Sequence, residues 1–388
     1  MDEVEGERLV RMRRRLAEEG LDALVCRLPE NVLCLTGYWP LSGVSFLMLP
    51  RDGDPLVIAP ATEAEAGLLP CGVAYAVFPW GRVSDPAPLA SVRGLLAGRR
   101  FSRLGWEGDF EAVAPAHVAG EVLVPAHSTA AMLQEAFPGA VLADATALLS
   151  RERAVKMPRD IDGLRRVAAV AERGVLAFEA SVRPGVTEAE VVAAVEGAVV
   201  REGLGLGSVR SVRGFAQVLS GPRTAAAWGP AYLATQRRVE TGELVLLELA
   251  TVADGYWSDV TRVRVAGSPT GRQRAVRAAV DAAVRAATAA ARPGVEGAAV
   301  DAAARTSLAE AGLDTSFPHH TGHGVGFRYH EPIPWLHPRS PDVLEEGMVC
   351  TIEPGVYSED FGGVRVEENV IVGPAGSERL SVPARGWE

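Results

Sequence analysis

Histidines are concentrated near the C-terminal end of this 388-residue chain, because five of the seven lie between His319 and His337. Three glycines, Gly322, Gly324 and Gly326, are interleaved with them. Histidine is the commonest metal ligand among side chains and titrates near neutral pH, and glycine allows backbone to come close to a ligand or to another strand. A single histidine is usually a core residue, but this density with interleaved glycines predicts a functional site.

A hairpin with two acidic residues is a candidate partner for these histidines. Segments 244–252 and 256–265 have the pattern of strands, and Asp254-Gly255 between them is typical of a two-residue turn. That turn pairs residues whose numbers sum to 509, which puts Glu248 and Asp259 diagonally on one face of the sheet. A turn shifted by one residue at both ends puts them directly opposite. Either way, two carboxylates share a face among apolar neighbours, which is unfavourable without a counter-cation.

A second hairpin of the same kind is predicted from segments 348–356 and 364–372. It carries Glu353 and Glu367, which follow Glu248 and Asp259 in the same order and at closely similar offsets along the chain. The histidine segment lies between the two hairpins, where both can contribute to one site.

The helices that precede the two hairpins also repeat. The sequence Arg-Pro-Gly-Val occurs at 183–186 and again at 292–295, each time after one long helical pattern and before a second. At 187–190 the motif Thr-Glu-Ala-Glu is typical of a capping box that begins a helix. An internal duplication of helix, helix and carboxylate hairpin explains why turns and acids recur at nearly one offset. It predicts two halves around a pseudo-twofold axis, with four carboxylates brought together.

The four carboxylates allow two interpretations. Each acid taken alone is best explained by solvation or by a salt bridge, since arginine is abundant. Four acids at duplicated positions beside a histidine cluster are better explained by a divalent metal site, because carboxylate and imidazole together suit Mn, Fe, Co or Zn. Two ions that share bridging carboxylates lie about 3.5–4 Å apart and lower the pKa of a bound water.

Composition and charge narrow the class of protein. The net charge of −10 argues against nucleic acid as a partner. No apolar run reaches the length that a membrane-spanning helix needs, and the acidic start Met-Asp-Glu-Val-Glu is unlike a secretory signal, so a cytoplasmic protein without a membrane partner is expected. The four cysteines are far apart and form no metal-binding pair; Cys26 and Cys34 are expected to be core thiols.

The overall pattern predicts an α+β protein in two domains. Mixed strands and helices fill residues 1–145, where Val32–Leu35 is one of the predicted strands. A linker is expected over 146–157, and it includes Lys156, the only lysine of the chain. Long amphipathic helices and the two hairpins form the second domain, 158–388.

Several motifs together resemble one known family. They are Tyr-Trp-Ser-Asp-Val-Thr-Arg at 256–262, His-His-Thr-Gly-His-Gly-Val-Gly at 319–326 with His-Glu at 330–331, Gly-Met-Val-Cys-Thr-Ile-Glu-Pro-Gly-Val-Tyr at 347–357, and Gly-Gly-Val-Arg-Val-Glu at 362–367. They resemble the pita-bread metallopeptidases, which include Xaa-Pro dipeptidase (prolidase), aminopeptidase P and the non-peptidase creatinase. The sequence at 20–37 resembles the creatinase-type N-terminal domain. The resemblance therefore implies a creatinase-like α/β domain followed by a pseudo-twofold pita-bread domain with a curved antiparallel sheet covered by helices.

The resemblance also implies roles for individual residues. Glu248, Asp259, His323, Glu353 and Glu367 match the metal ligands of the family. Glu353 also matches the acid/base that handles the proton of the attacking water. His330 matches a histidine near the scissile bond, His319 one that lines the proline pocket, and Arg365 and Tyr357 residues beside the ligands. We assign no such role to His320 or His337.

Two positions depart from the family pattern. Glu248 stands where the family has an aspartate, and the added methylene moves the carboxylate by about 1.5 Å, which predicts a weakened or empty metal position. Trp228 stands where the family has a histidine that holds substrate and stabilises the tetrahedral intermediate. Indole offers one donor and no acceptor, so a slowed or redirected reaction is expected, or a pocket that is narrowed for other substrates.

The sequence thus predicts a metal-dependent Xaa-Pro peptidase that acts on a dipeptide or short peptide. Its expected cofactor is a divalent metal, Mn ahead of Co or Zn, with one or two ions bound. Two alternatives are a diverged creatinase-like C–N hydrolase and a pseudoenzyme that binds ligand without turnover. Trp228 weighs against the metal-free creatinase mechanism, which relies on the histidine it replaces. A homodimer is expected because it is usual among the proteins that this chain resembles.

Overall fold

The computed structural model describes residues 3–41, 44–69, 72–80, 82–109, 127–229 and 233–387. They form two compact units. The first comprises the described residues within 1–112, 122–153 and 157–159, and the second those within 154–156 and 160–388. Cys26, Cys34 and Cys350 are buried free thiols, as expected for the first two, whereas Cys71 lies outside the described residues.

The first unit is a mixed sheet with helices on both faces. Its elements in chain order are α1 (Glu3–Glu18), β1 (Ala23–Cys26), α2 (Pro29–Thr36), β2 (Phe46–Pro50), β3 (Leu56–Pro60), α3 (Ala61–Glu65), β4 (Ala74–Phe78), α4 (Pro88–Leu96), β5 (Arg103–Trp106), α5 (His127–Ala136), β6 (Val141–Asp144) and α6 (Thr146–Ala154). The strand order is β4-β3-β2-β1-β5-β6. Alternation along β1 sends Leu24 and Cys26 into one core with α1, α2 and α6, and Ala23 and Val25 into another with α4 and α5.

The predicted strand Val32–Leu35 is wrong, because these residues belong to helix α2. Pro29 occupies the first turn, where its missing N–H costs nothing. Gly37 ends the helix with φ 74°, a left-handed conformation that favours glycine. A four-residue apolar run has no period that distinguishes strand from helix, and the end signals at Pro29 and Gly37 decide this case.

The segment expected to be a linker contains helix α6, which covers Thr146–Ala154. Lys156 lies two residues after the helix and is buried. The division into 1–145, 146–157 and 158–388 stays a prediction.

The second unit consists of two helix pairs and several antiparallel sheets. Its elements are α7 (Pro158–Ser181), α8 (Glu188–Gly203), β7 (Val212–Ser220), β8 (Leu244–Ala253), β9 (Tyr256–Val265), α9 (Gly271–Ala290), α10 (Gly297–Glu310), β10 (Gly322–Gly324), β11 (Glu331–Leu336), β12 (Val349–Ile352), β13 (Gly355–Ser358), β14 (Gly362–Arg365), β15 (Glu368–Gly373) and β16 (Gly376–Arg379), with short 3-10 turns at Leu206–Ser208, Gly221–Ala226 and Asp314–Ser316. The sheets have the orders β7-β8-β9, β11-β10-β12-β15-β16 and β13-β14.

The helix duplication predicted from the sequence is confirmed in this unit. The ends of α7 and α9 and the starts of α8 and α10 are separated by the same offset as the two Arg-Pro-Gly-Val turns. The linking turns use Gly185 and Gly294, with φ of 87° and 83°. Each glycine N–H donates to a carbonyl of a later segment, that of Val239 in the first half and of Leu344 in the second. The same local construction therefore occurs twice, each time before a pair of acidic strands.

No helix in the described part of the chain combines the length and apolar character needed to cross a membrane.

Candidate metal centre

The first acidic hairpin, β8 and β9, has the register that the two-residue turn predicts. Both turn residues have positive φ, 47° and 86°, as a two-residue turn of type I′ requires. Glu248 pairs with Thr261, and Asp259 pairs with Ala250. The two acids therefore lie diagonally on one face, and the alternative in which they are directly opposite does not occur.

The second acidic hairpin is broken in both arms, which the sequence did not predict. Strand β12 pairs with β15, and β13 pairs with β14, in one common register, because the numbers of paired residues sum to 720 in both ladders. The two ladders are therefore two parts of one hairpin. Glu353 and Glu367 fall in the two gaps, at opposed positions. Their backbone N–H groups donate to other segments, that of Glu353 to Thr321 O and that of Glu367 to Thr261 O. The ladder is thus interrupted at the two acids.

The histidine segment folds back on itself between β10 and β11. His323 lies in β10, whereas His330 lies in the irregular stretch that follows, where Gly326 has φ 145°. On a regular strand these two histidines would point to opposite faces, because an odd number of steps separates them. Their ring centroids are instead 3.8 Å apart. The glycine run therefore breaks the regular pleat between the two histidines.

His323 faces two of the carboxylates with one ring nitrogen. Its Nδ1 is 2.9 Å from Gly324 O, which can only accept, so Nδ1 carries the proton. In the neutral ring, Nε2 then has a free lone pair, and it lies 3.5 Å from Asp259 Oδ2 and 3.6 Å from Glu353 Oε1. A lone pair facing carboxylate oxygens is repulsive unless a cation lies between them. This tautomer is the one that a metal-ligating histidine adopts.

Two buried carboxylate oxygens in the cluster also lack a hydrogen-bond donor. They are Asp259 Oδ1 and Glu367 Oε1, on side chains that are each 1% exposed. Buried anionic oxygens without donors are strongly unfavourable. Three close carboxylates and one imidazole nitrogen form a donor set that suits a divalent transition metal. The residues present therefore fit a metal ion.

Proton affinities in the cluster reflect the same crowding of charge. Burial, followed by the charges of neighbouring carboxylates, raises the pKa of Asp259 and of Glu367 well above the ordinary range. Burial also acts to raise the pKa of Glu353, but the hydrogen bond from His320 outweighs it and holds that pKa well below its usual value. Without a cation, Asp259 and Glu367 retain protons to higher pH, whereas Glu353 stays ionised.

Glu248 differs from the other acids because both of its oxygens have donors. Arg365 Nη2 donates to Oε2 and the Tyr329 hydroxyl donates to Oε1. Tyr329 is 1% exposed, and its ring centroid lies 6.0 Å from that of Trp257 and 4.3 Å from that of His330. Sequence reasoning missed Tyr329, although its place beside His330 is a signal that could have found it.

Arg365, Tyr357 and His319 form a hydrogen-bonded chain with fixed directions. Arg365 Nη1 donates to the Tyr357 hydroxyl at 3.0 Å, and that hydroxyl lies 2.9 Å from His319 Nε2. His319 Nδ1 donates to His320 O at 2.8 Å. The other ring nitrogen, Nε2, therefore carries no proton and accepts a hydrogen bond from the Tyr357 hydroxyl. Burial lowers the pKa of His319 to about 4 and raises that of Tyr357 to about 12. Both groups are therefore neutral at pH 7.

His320, to which the sequence analysis gave no role, contacts the cluster directly. Trp335 Nε1, which can only donate, lies 3.4 Å from His320 Nδ1. The proton of the neutral ring is therefore on Nε2, 3.3 Å from Glu353 Oε1. His337, also left without a role, stacks on Trp335 with ring centroids 3.9 Å apart. The adjacent residues His319 and His320 thus contact different groups, the Tyr357 hydroxyl and the Glu353 carboxylate. Their spacing in the sequence did not indicate this.

Trp228 follows the 3-10 turn Gly221–Ala226 and is 54% exposed. The carbonyl of the preceding residue, Ala227, accepts a hydrogen bond of 2.8 Å from Arg365 Nη1. The backbone at this position is thereby tied to a residue that contacts Glu248. The indole ring itself is exposed and is not part of the buried cluster of acids and histidines.

Lys156, in the segment expected to be a linker, forms a fully buried ion pair with Glu331. Nζ lies 3.2 Å from Glu331 Oε1, and both side chains are 0% exposed. Glu331 Oε1 also accepts from the N–H of Phe327 at 2.8 Å, while the N–H of Lys156 donates to Gly347 O. The pair thus ties the loop that carries His330 to the segment that leads into β12.

Replacing Lys156 with methionine is expected to lower the free energy of unfolding by about 3–5 kcal/mol, because it leaves the Glu331 carboxylate buried without its cation. Denaturant unfolding of the two proteins measures this difference. The double variant Lys156→Met with Glu331→Gln removes both charges and should recover part of the loss. A single variant within about 0.5 kcal/mol of the wild type would contradict the structural importance of the pair.

Comparison with known proteins identifies the class to which this fold and site belong. Residues 162–374 match the metallopeptidase family M24, and residues 8–155 match the creatinase/prolidase N-terminal domain. The chain therefore belongs to the M24 metallopeptidases, and the predicted fold class, a creatinase-like domain followed by a pita-bread domain, is confirmed.

Individual relatives agree with this assignment. The Xaa-Pro dipeptidase of Pyrococcus furiosus is 35% identical over 233 residues, which cover 60% of this chain and 64% of that protein. The solved prolidase of Pyrococcus horikoshii OT3 has a TM-score of 0.77 at 26% identity and covers 98% of this chain and 100% of its own. The solved Xaa-Pro dipeptidase of Bacillus anthracis has a TM-score of 0.80 at 25% identity, with coverage of 98% and 99%.

Proposed function

We propose that this protein is a metal-dependent Xaa-Pro peptidase that hydrolyses the peptide bond before proline in a dipeptide or short peptide. The observation that carries the proposal is the arrangement of His323 Nε2 against Asp259 and Glu353, beside two buried carboxylate oxygens without donors. Membership of the M24 metallopeptidases and the names of the relatives, Xaa-Pro dipeptidase and prolidase, support the choice of substrate.

Asp259, His323, Glu353 and Glu367 are the residues that we propose to hold a divalent metal. Mixed carboxylate and imidazole donors suit Mn, with Co and Zn as the next candidates. A divalent ion bound there would lower the pKa of a water molecule enough to make it a nucleophile near neutral pH.

The surrounding side chains have complementary tasks in this proposal. Glu353, which the resemblance to the family implies is the acid/base, accepts the proton of the attacking water and passes it to the leaving nitrogen. His330, with Nε2 3.8 Å from Asp259 Oδ2, contacts the substrate near the scissile bond. The neutral pair His319 and Tyr357 lines the proline pocket, and Arg365 fixes the tyrosine hydroxyl.

The test is hydrolysis of Ala-Pro by protein that has been stripped with a chelator and then reloaded with Mn²⁺, Co²⁺ or Zn²⁺. Proline release is expected only after reloading, and Ala-Ala should be a much poorer substrate. A tripeptide such as Ala-Pro-Gly distinguishes dipeptidase from aminopeptidase action. If protein with metal bound, as measured by elemental analysis, hydrolyses no Xaa-Pro peptide, the proposal is wrong.

Replacing His320 with phenylalanine is expected to lower kcat for Ala-Pro by about 10- to 100-fold with little change in KM, because Glu353 loses the donor that orients its carboxylate. His337→Phe is a matched control, because phenylalanine keeps an aromatic ring on Trp335. Within the part of the chain that the structure describes, the side chain at this position contacts no acid of the cluster. Steady-state kinetics measure both. Equal losses in the two variants would contradict a specific role for His320.

We further propose the domain division 1–145, 146–157 and 158–388, which the family matches to residues 8–155 and 162–374 support. We also propose a cytoplasmic location, and a homodimer on the resemblance to the family. Size-exclusion chromatography with light scattering tests the dimer.

A further inference from the structure

Three of the four acids near the histidines, Asp259, Glu367 and Glu248, divide into two kinds by the partners of their oxygens. Asp259 and Glu367 each have a buried oxygen without a donor. Glu248 has a donor on each oxygen, the Arg365 guanidinium on one and the Tyr329 hydroxyl on the other. A cation would supply the missing partner of the first two carboxylates, whereas each oxygen of Glu248 already has a partner.

Arg365 is not free to move away from Glu248. Its side chain is 4% exposed, and its remaining nitrogens donate to Thr261 Oγ1 at 2.9 Å, Ala227 O at 2.8 Å and the Tyr357 hydroxyl at 3.0 Å. A guanidinium held by so many acceptors keeps one orientation. An ion bound to Glu248 would lie beside the buried positive charge of Arg365, and this repulsion between like charges is unfavourable.

Tyr329 closes the other side of Glu248. Its ring contacts the rings of Trp257 and His330, and its hydroxyl donates to Oε1. A tyrosine hydroxyl is a single donor, and here it is already given to Oε1 inside a buried site. Both donors therefore favour Glu248 as a partner of the protein itself.

We propose that the centre binds a single divalent ion through Asp259, His323, Glu353 and Glu367, and that Glu248 is the counter-ion of Arg365 rather than a metal ligand. The assignment rests on the metal dependence of the proposed function but not on its substrate. It resolves the expectation of one or two ions in favour of one, and it gives a structural reason why a glutamate is suited to position 248. The longer side chain spans from β8 to two donors on other segments.

The experiment is titration of the chelator-treated full-length protein with Mn²⁺. Calorimetry and elemental analysis after gel filtration should give one ion per chain. With two equivalents added, electron paramagnetic resonance should show the six-line signal of isolated Mn²⁺ and no spin-coupled pair. These measurements need no variant, so they do not depend on the stability of a mutant.

Two variants sharpen the result. Glu367→Gln is expected to weaken Mn²⁺ binding by about 100-fold or more, whereas Glu248→Gln should leave one ion per chain with affinity within about 10-fold of the wild type. Two ions of comparable affinity, a spin-coupled signal, no ion at all, or loss of the ion in Glu248→Gln would each overturn the inference. Two ions with Ala-Pro hydrolysis would leave the proposed function standing; one ion without hydrolysis of any Xaa-Pro peptide would refute that function alone.

Discussion

The Asp259→Asn variant is expected to bind a divalent ion at least about 100-fold more weakly than the wild type and to lose hydrolysis of Ala-Pro with it. Asp259 has one oxygen without a donor and another 3.5 Å from His323 Nε2. An amide is neutral and offers one carbonyl oxygen in place of two anionic oxygens. The variant therefore binds the ion more weakly because it loses part of the electrostatic attraction between the carboxylates and the ion.

The same substitution should stabilise the metal-free protein. Burial and neighbouring carboxylates raise the pKa of Asp259 in the folded chain, so its ionised form opposes folding. A carboxyl whose pKa is raised in the folded state lowers stability as the pH rises above its pKa in the unfolded chain, which is about 4. The metal-free wild type is thus expected to lose stability between acidic and neutral pH, and Asp259→Asn should lose less. Adding Mn²⁺ should stabilise the wild type and not the variant.

Thermal unfolding with and without Mn²⁺, at several pH values, measures both effects beside the peptidase assay. Asp254→Asn is a matched control, because it makes the same chemical change in the turn of the same hairpin, at a position with φ 47° that asparagine tolerates. It should retain metal binding and activity. If Asp259→Asn still bound Mn²⁺ with wild-type affinity, the proposed ligand set would be wrong.

Local rules were sufficient to predict the parts of the site that depend on chain periodicity. Asp254-Gly255 defines a two-residue turn, and the turn alone sets the register in which Glu248 pairs with Thr261. The constant offset between the two Arg-Pro-Gly-Val turns predicted helices that begin and end at matching positions. These features need no knowledge of distant contacts.

Features that depend on distant contacts could not be predicted in this way. The arms of the second hairpin break at Glu353 and Glu367 because those N–H groups bond to Thr321 and Thr261 on other segments. The burial of Lys156 depends on Glu331, 175 residues later. A sequence pattern carries neither the direction of a side chain nor the identity of its partner across such separations.

Trp228→His is expected to raise kcat for Ala-Pro by about 10²–10³, because the resemblance to the family implies that a histidine at this position donates to the developing oxyanion. Indole has a single N–H on a large, rigid ring, and Trp228 is 54% exposed rather than directed into the buried cluster. The backbone is already fixed, since Arg365 Nη1 binds the carbonyl of Ala227. The substitution therefore changes the hydrogen-bond donor at position 228 without changing the contact between Arg365 and Ala227 that fixes the backbone.

Trp228→Phe separates the chemistry of this position from its shape, because it removes the indole N–H and offers no imidazole. If the missing group is an oxyanion donor, only histidine should increase kcat, and phenylalanine should leave it unchanged or lower. If tryptophan instead restricts the pocket, both substitutions should lower KM for longer peptides such as Ala-Pro-Gly by similar factors, with kcat nearly constant. Equal kinetics for histidine and phenylalanine would show that the histidine of the family has no counterpart here, and the oxyanion donor would then have to come from a residue already in the cluster, with His330 the first candidate to replace.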